Sequence, residues 1–128
     1  MKSIYTITFL LSVFIFKINL SPDEIQGKWN MYKVIQDAKD VTAEHNPNKD
    51  RYVIFNKDNT FESGGKPFGK NTGKYDFNLN DKTLFLDSDA GQEDDSYWKV
   101  TFKSDTMYWQ GYGSEWAKDF VLIHIKEK

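Results

Sequence analysis

The sequence predicts an all-β fold, an eight-stranded antiparallel up-and-down meander closed into a barrel. Three observations predict it. From Gln26 onward the apolar residues recur with period two rather than 3.6. Short polar turns join consecutive extended runs, so that neighbours in sequence pair in space. Aromatic residues make up 16% of the 128 residues, which is ample apolar volume for the inside of a small barrel. An open two-sheet sandwich fits the same strand count and is the alternative. Closure has the advantage that it removes exposed sheet edges.

The first element is not part of that meander. Lys2 precedes an apolar run from Ile4 to Phe16, interrupted only by Tyr5, Thr6, Thr8 and Ser12 and ended by Lys17. As a helix that run covers about 20 Å, short of the roughly 30 Å hydrocarbon core of a bilayer. No polar face recurs along it at helical spacing, so it reads as the h-region of a secretory signal peptide. Phe16 to Pro22 offers no small-x-small cleavage pair, and an uncleaved anchor is the alternative. The chain thus divides into a signal peptide, residues 1–20, and a β-barrel domain, residues 21–128. The expected location is exported, periplasmic or secreted, with no stable membrane span after cleavage. Losing Lys2 and Lys17 leaves the mature chain more acidic than the whole.

Ser21-Pro22-Asp23-Glu24 has the chemistry of a helix start before Ile25. A first strand follows, with Trp29, Met31 and Ile35 on one face and Lys28 and Asn30 on the other. Arg51–Asn56 and Thr60–Ser63 form a hairpin over Lys57-Asp58-Asn59, where Asp-Asn tolerates left-handed backbone. Gly73–Asn78 and Lys82–Asp87 flank Leu79-Asn80-Asp81, and Tyr97–Lys103 and Thr106–Gln110 flank Ser104-Asp105. Asp119–Lys126 is the last strand. Tyr75 and Phe77 oppose Lys74 and Asp76, and Trp98, Val100 and Phe102 oppose Tyr97, Lys99, Thr101 and Lys103. One face is dry and one wet, as antiparallel sheets require.

Composition excludes several chemistries. The chain has no cysteine, hence no disulfide scaffold, thiol nucleophile or cysteine metal site. A net charge of −2 argues against a general nucleic-acid binder. Gly64-Gly65-Lys66-Pro67-Phe68-Gly69-Lys70-Asn71 approaches a phosphate-binding loop. Asn71 replaces the Ser or Thr that would hold magnesium, however, and a strand follows instead of a helix. Asp87-x-Asp89 begins like a calcium loop, but Gln92 and Trp98 stand where the glycine and the bidentate glutamate belong. Ser114 lacks the strand-turn-helix context of a hydrolase nucleophile, and no acid–base partner is assignable. No catalytic residue, metal or cofactor is expected.

Gly27-Lys28-Trp29 opens the first strand directly after the export signal, and Val53-Ile54-Phe55-Asn56-Lys57-Asp58-Asn59-Thr60-Phe61 runs from an apolar strand through a turn to Thr-Phe. These features resemble the lipocalins, whose first strand carries Gly-x-Trp, and in particular the small bacterial lipocalin-like domains. The resemblance covers most of Ile25 to Lys126. It implies an eight-stranded lipocalin-like barrel, a non-catalytic role and a small hydrophobic or amphipathic ligand inside. It also implies that the large connection after the first strand lies at the barrel mouth. Two departures stand out. Ser104-Asp105-Thr106 replaces the usual Thr-Asp-Tyr, and His124 or Lys126 replaces the late arginine that packs over the first-strand tryptophan.

The candidate ligand-binding residues are the inward aromatics and aliphatics Trp29, Met31, Phe55, Phe61, Tyr75, Phe77, Trp98, Trp109 and Leu122. They line a cavity or fill the barrel, since eight strands enclose just enough room for either. Gln36 to Asp50 is a long polar connection of the kind that forms lids or binding loops, or a solvated surface loop. His45 within it, and Tyr112 and Trp116 in Gly111–Trp116, are the candidate loop or partner contacts. The alternative to a ligand carrier is a protein-binding or inhibitor module with a filled barrel acting through these loops, its partner unknown.

Overall fold

The computed structural model describes residues 22–128; the segment read as a signal peptide lies outside the described residues. The strands are β1 (Gly27–Gln36), β2 (Lys39–Asp40), β3 (Tyr52–Phe55), β4 (Thr60–Gly64), β5 (Asn71–Asn78), β6 (Thr83–Ser88), β7 (Ser96–Lys103), β8 (Thr106–Tyr112) and β9 (Phe120–Lys126). Pairing is antiparallel between sequence neighbours from β3 to β9. β1 pairs with β3 on one side and with β9 on the other, which closes an eight-stranded barrel. The two-residue β2 is a flap on the far end of β1. The barrel, not the sandwich, is the fold.

The up-and-down order sorts the connections by length. Residues 56–59, 79–82 and 104–105 make tight turns at one end, where residues 22–26 enter β1. Asn59, Lys82 and Ser104 take the left-handed conformation there, with φ of 69°, 58° and 58°. Residues 37–51, 65–70, 89–95 and 113–119 gather at the other end. The first of these connections contains one helical turn, α1 (Thr42–His45), and the third a short 3-10 turn, Gln92–Asp94.

The tight-turn end is packed solid. Pro22–Gln26 forms a turn, not the helix start expected, with Ile25 N–H on the Pro22 carbonyl at 3.3 Å and Gln26 N–H on the Asp23 carbonyl at 3.2 Å. That turn drives Ile25 fully into the barrel, where its carbonyl accepts the Trp29 indole N–H at 2.9 Å. Phe102 lies 5.9 Å from both Trp29 and Phe77, ring centroid to centroid. Phe55 and Tyr75 meet edge to face at 4.7 Å, a geometry that favours the positive ring edge over the negative face.

The first strand departs from its expected register. A β-bulge between Met31 and Lys33 in the pairing with β9 inserts one residue. Trp29 and Met31 face inward as the alternation predicts, but beyond the bulge Val34 is the buried residue and Ile35 is only half-buried. A one-residue insertion moves every later side chain to the opposite face. Thr42 on α1 ties down this stretch, its hydroxyl oxygen accepting the Val34 N–H at 3.0 Å.

Candidate functional site

The long-loop end of the barrel is hollow. A cavity of about 630 Å³ opens there, in the range that holds one small ligand. Its lower wall is apolar and comes from inward positions of six strands: Met31 and Val34 of β1, Val53 of β3, Phe61 of β4, Trp98 and Trp109 of β7 and β8, and Leu122 of β9. Its rim carries His45, Phe68, Glu93, Asp94, Trp116 and Phe120 from the four long connections and the start of β9.

Aromatic rings run round this cup in near-continuous contact. Phe68 lies 5.9 Å from His45, and His45 lies 5.4 Å from Phe120, edge to face. Phe120 is 6.4 Å from Trp116, Trp116 is 5.9 Å from Trp98, and Trp98 is 5.3 Å from Trp109. The chain ends at His124, whose ring centroid is 4.5 Å from that of Trp109.

The connection at residues 37–51 is largely exposed but is pinned to the barrel through Asn46 and Arg51. Asn46 is buried, donating from Nδ2 to the Met31 carbonyl at 3.1 Å and accepting the Arg51 N–H on Oδ1 at 3.1 Å. Arg51 Nη1 donates to the His45 carbonyl at 3.0 Å, and the guanidinium sits 4.7 Å from the Phe68 ring centroid. Burial pulls the Arg51 pKa down from its ordinary value. Burial, reinforced by the charge of Arg51, pulls His124 down to about 3, so its imidazole is neutral at ordinary pH. Trp98 Nε1 donates to Ser96 Oγ at 2.8 Å. Trp109 Nε1 and His124 Nδ1, by contrast, are buried with no hydrogen-bond partner among the described residues.

The candidate residues divide by depth. Met31, Phe61, Trp98, Trp109 and Leu122 line the cup, and His45 and Trp116 stand at its rim. Trp29, Phe55, Tyr75 and Phe77 also belong to the inward, buried set, but they form the packed base and do not line the cavity. Tyr112 is outside: β8 extends to it, and its ring lies 6.0 Å from Tyr97 and 5.2 Å from the Lys99 ammonium on the outer face. Arg51, Tyr52, Val53, Phe68, Phe120 and His124 line the cavity without having been singled out as ligand contacts. Arg51, Val53 and His124 were nevertheless readable, because period two from Phe55 and from Leu122 turns them inward.

Gly64–Asn71 leads into strand β5, so the near-match to a phosphate loop has no helix N-terminus beside it. The acidic connection is structural: Asp95 Oδ1 accepts the Ser88 N–H at 2.8 Å, and Asp89 Oδ2 accepts the Thr72 hydroxyl at 2.8 Å. Among the described residues no cluster of histidine and carboxylate side chains is placed to hold a metal ion. None of the helices among the described residues is long and apolar enough to cross a membrane.

A closed antiparallel barrel, sealed at one end and cupped at the other, is the architecture of the calyx-forming β-proteins. The chain belongs to the lipocalin-like domain family, whose profile matches residues 25–109. Among solved structures it is similar to the crystal structure of a DUF4847 family protein from Bacteroides vulgatus ATCC 8482. That likeness has a TM-score of 0.57 at 13% identity, over 81% of this chain and 96% of the other, and concerns the fold alone. Comparison with curated protein sequences gives no match.

Proposed function

We propose that this chain is a non-catalytic, exported lipocalin-like protein that holds a small amphipathic ligand in the cup. The observation that carries the reading is the cavity of about 630 Å³ with an aromatic lower wall and a charged rim. Ligand hydrocarbon buried against Trp98, Trp109, Met31 and Leu122 gains roughly 25 cal/mol per Å² before the costs of association. Charged groups among the lining residues, Arg51, Glu93 and Asp94, would orient the ligand's polar end. Family membership favours binding over chemistry. Ser114 Oγ is buried without a hydrogen-bond partner among the described residues, so none of them is placed as its general base. Export rests on the sequence pattern of residues 1–20.

The alternative is a module that recognises a protein through its loops. The specific observation in its favour is Trp116, a large aromatic at the rim that is 47% exposed. Titration of the purified protein with N-phenylnaphthylamine, a neutral environment-sensitive fluorophore, separates the two. Saturable one-site binding that is lost in Trp109→Ala and kept in Tyr112→Ala is the expected result. No saturable binding would overturn the carrier reading.

A further inference from the structure

We propose that the cup is built for an organic acid, whose oxyanion enters the barrel and is held by the Arg51 guanidinium and the Trp109 indole N–H, beside His124. The inference rests on the carrier reading and adds the chemical class and orientation of the ligand. It starts from two atoms that lack partners. Trp109 is 3% and His124 2% exposed, yet Trp109 Nε1 and His124 Nδ1 make no hydrogen bond among the described residues. Buried polar groups are almost always bonded, so an unpaired indole N–H is a donor waiting for an acceptor. The Trp109 and His124 rings lie 4.5 Å apart on adjacent strands, and both residues line the cup.

Arg51 supplies the charge. It shares the inward register of Val53 and Phe55, and its carbonyl accepts the Met31 N–H at 2.9 Å. Met31 in turn is the β1 partner of His124. Arg51, just before β3, Met31 of β1 and His124 of β9 therefore stand at one level of the barrel, about 10 Å from first to last at the usual strand spacing. The positive charge of Arg51 adds to burial in disfavouring protonation of His124. Arg51 forms no salt bridge among the described residues, where Lys28, Lys70 and Lys118 each find a glutamate. A guanidinium carries five N–H donors in a fork that matches a carboxylate or sulfonate. Among the described residues only Nη1 is engaged in a hydrogen bond, with the His45 carbonyl.

The remaining charges at the cup favour the same orientation. Lys70 at the rim is paired with Glu62 at 3.6 Å, and Glu93 and Asp94 stand on the rim from the β6–β7 connection. An anion left at the mouth would face those carboxylates, whereas one drawn inward meets an unpaired cation and an unpaired N–H. The ligand this geometry selects is an acid with a planar or slender apolar body that packs against Trp98, Phe61 and Leu122.

The test uses two probes with one arylamine skeleton, anilinonaphthalene sulfonate and neutral N-phenylnaphthylamine, titrated by fluorescence into the wild-type protein and its variants. Arg51→Met should weaken the sulfonate about tenfold or more, the loss expected for a hydrogen bond to a charged group, and leave the neutral probe within about twofold. Trp109→Phe keeps the ring and removes the N–H, and should weaken only the sulfonate, by several-fold. It also serves as the independent variant if the loop pinned by Arg51 loosens. Arg51→Lys should recover part of the difference. Equal weakening of both probes in Arg51→Met and Trp109→Phe, or no weakening of the sulfonate in either, would overturn the anion subsite while leaving the carrier reading intact. Absence of binding by both probes to the wild-type protein would overturn the two together.

Discussion

Lys126 holds its ammonium 4.7 Å from the centroid of the Trp29 ring and donates to the Gln26 carbonyl, joining the last strand to the residue before the first. The two residues are also backbone partners in the β1–β9 pairing that closes the barrel. Gly27 belongs to the same arrangement: its φ is +113°, and a Cβ there would stand 3.0 Å from Lys126 Nζ. Gly-x-Trp is thus a packing motif in this chain. Glycine makes room for the lysine, and tryptophan gives it a face. Of the two residues that could replace the arginine usual in the resembled family, Lys126 takes the place over the ring, while His124 points into the cup.

Lys126→Met keeps the aliphatic stem and removes the charge. The expected loss is about 1–2 kcal/mol, from one charge-assisted hydrogen bond and one cation–π contact. Urea denaturation measures it, and Lys126→Arg should restore most of the lost stability. Equal midpoints for wild type and Lys126→Met would show that the clamp does not stabilise closure.

Gly111→Ala should be far more costly. An alanine Cβ at this position would lie 1.8 Å from the Ala117 carbonyl oxygen, a backbone atom of the connection before β9. The backbone must separate to admit it, so a loss above about 2 kcal/mol is expected, in the range of overpacked cores. The same displacement would carry Trp116 away from Trp98. Binding of the neutral probe should therefore weaken along with stability.

Trp116→Ala should dissociate these two effects. The ring is half-exposed and rests on Trp98 and Phe120 at the rim, so its removal should change stability by less than about 1 kcal/mol. It should nevertheless speed release of a bound probe, because a rim aromatic that covers the ligand acts mainly on the off-rate. Stopped-flow displacement reads this directly. An unchanged off-rate would remove Trp116 from the site.

Which side chains face inward was legible in the sequence; how deep each lies was not. Period two placed Trp29, Phe55, Tyr75 and Phe77 inside together with Phe61, Trp98 and Trp109, and all of them are buried. Alternation carries no information about position along the barrel axis, so the packed base and the hollow cup read alike. The direction of the chain holds that information, since the long connections mark the open end and the tight turns the closed one. The bulge after Met31 was not legible, because no glycine or proline marks it and it is imposed by the pairing with β9. The role of Arg51 is harder to read for a chemical reason. An arginine at an inward position reads as a strand boundary until the structure shows it lining the pocket with no salt bridge among the described residues.

His124 makes the stability of the barrel depend on pH in a predictable direction. Its pKa falls from 6.5 to about 3 on folding because burial penalises the imidazolium and Arg51 repels it. The unfolded chain therefore binds the extra proton first as pH drops. The stabilising contribution is whole above about pH 6.5 and is lost progressively toward pH 3. Within that window the slope is about 1.4 kcal/mol per pH unit at most. Carboxylates held low by hydrogen bonds and neighbouring lysines, Glu62 and Glu127 among them, add their own loss only below their ordinary value of 4.5. The interval from pH 6.5 to 5 therefore isolates the histidine. Urea midpoints should fall across that interval in the wild-type protein and stay nearly level in His124→Leu, which keeps an apolar side chain against Trp109 and removes the titrating group. Parallel slopes in the two proteins would place the acid sensitivity elsewhere.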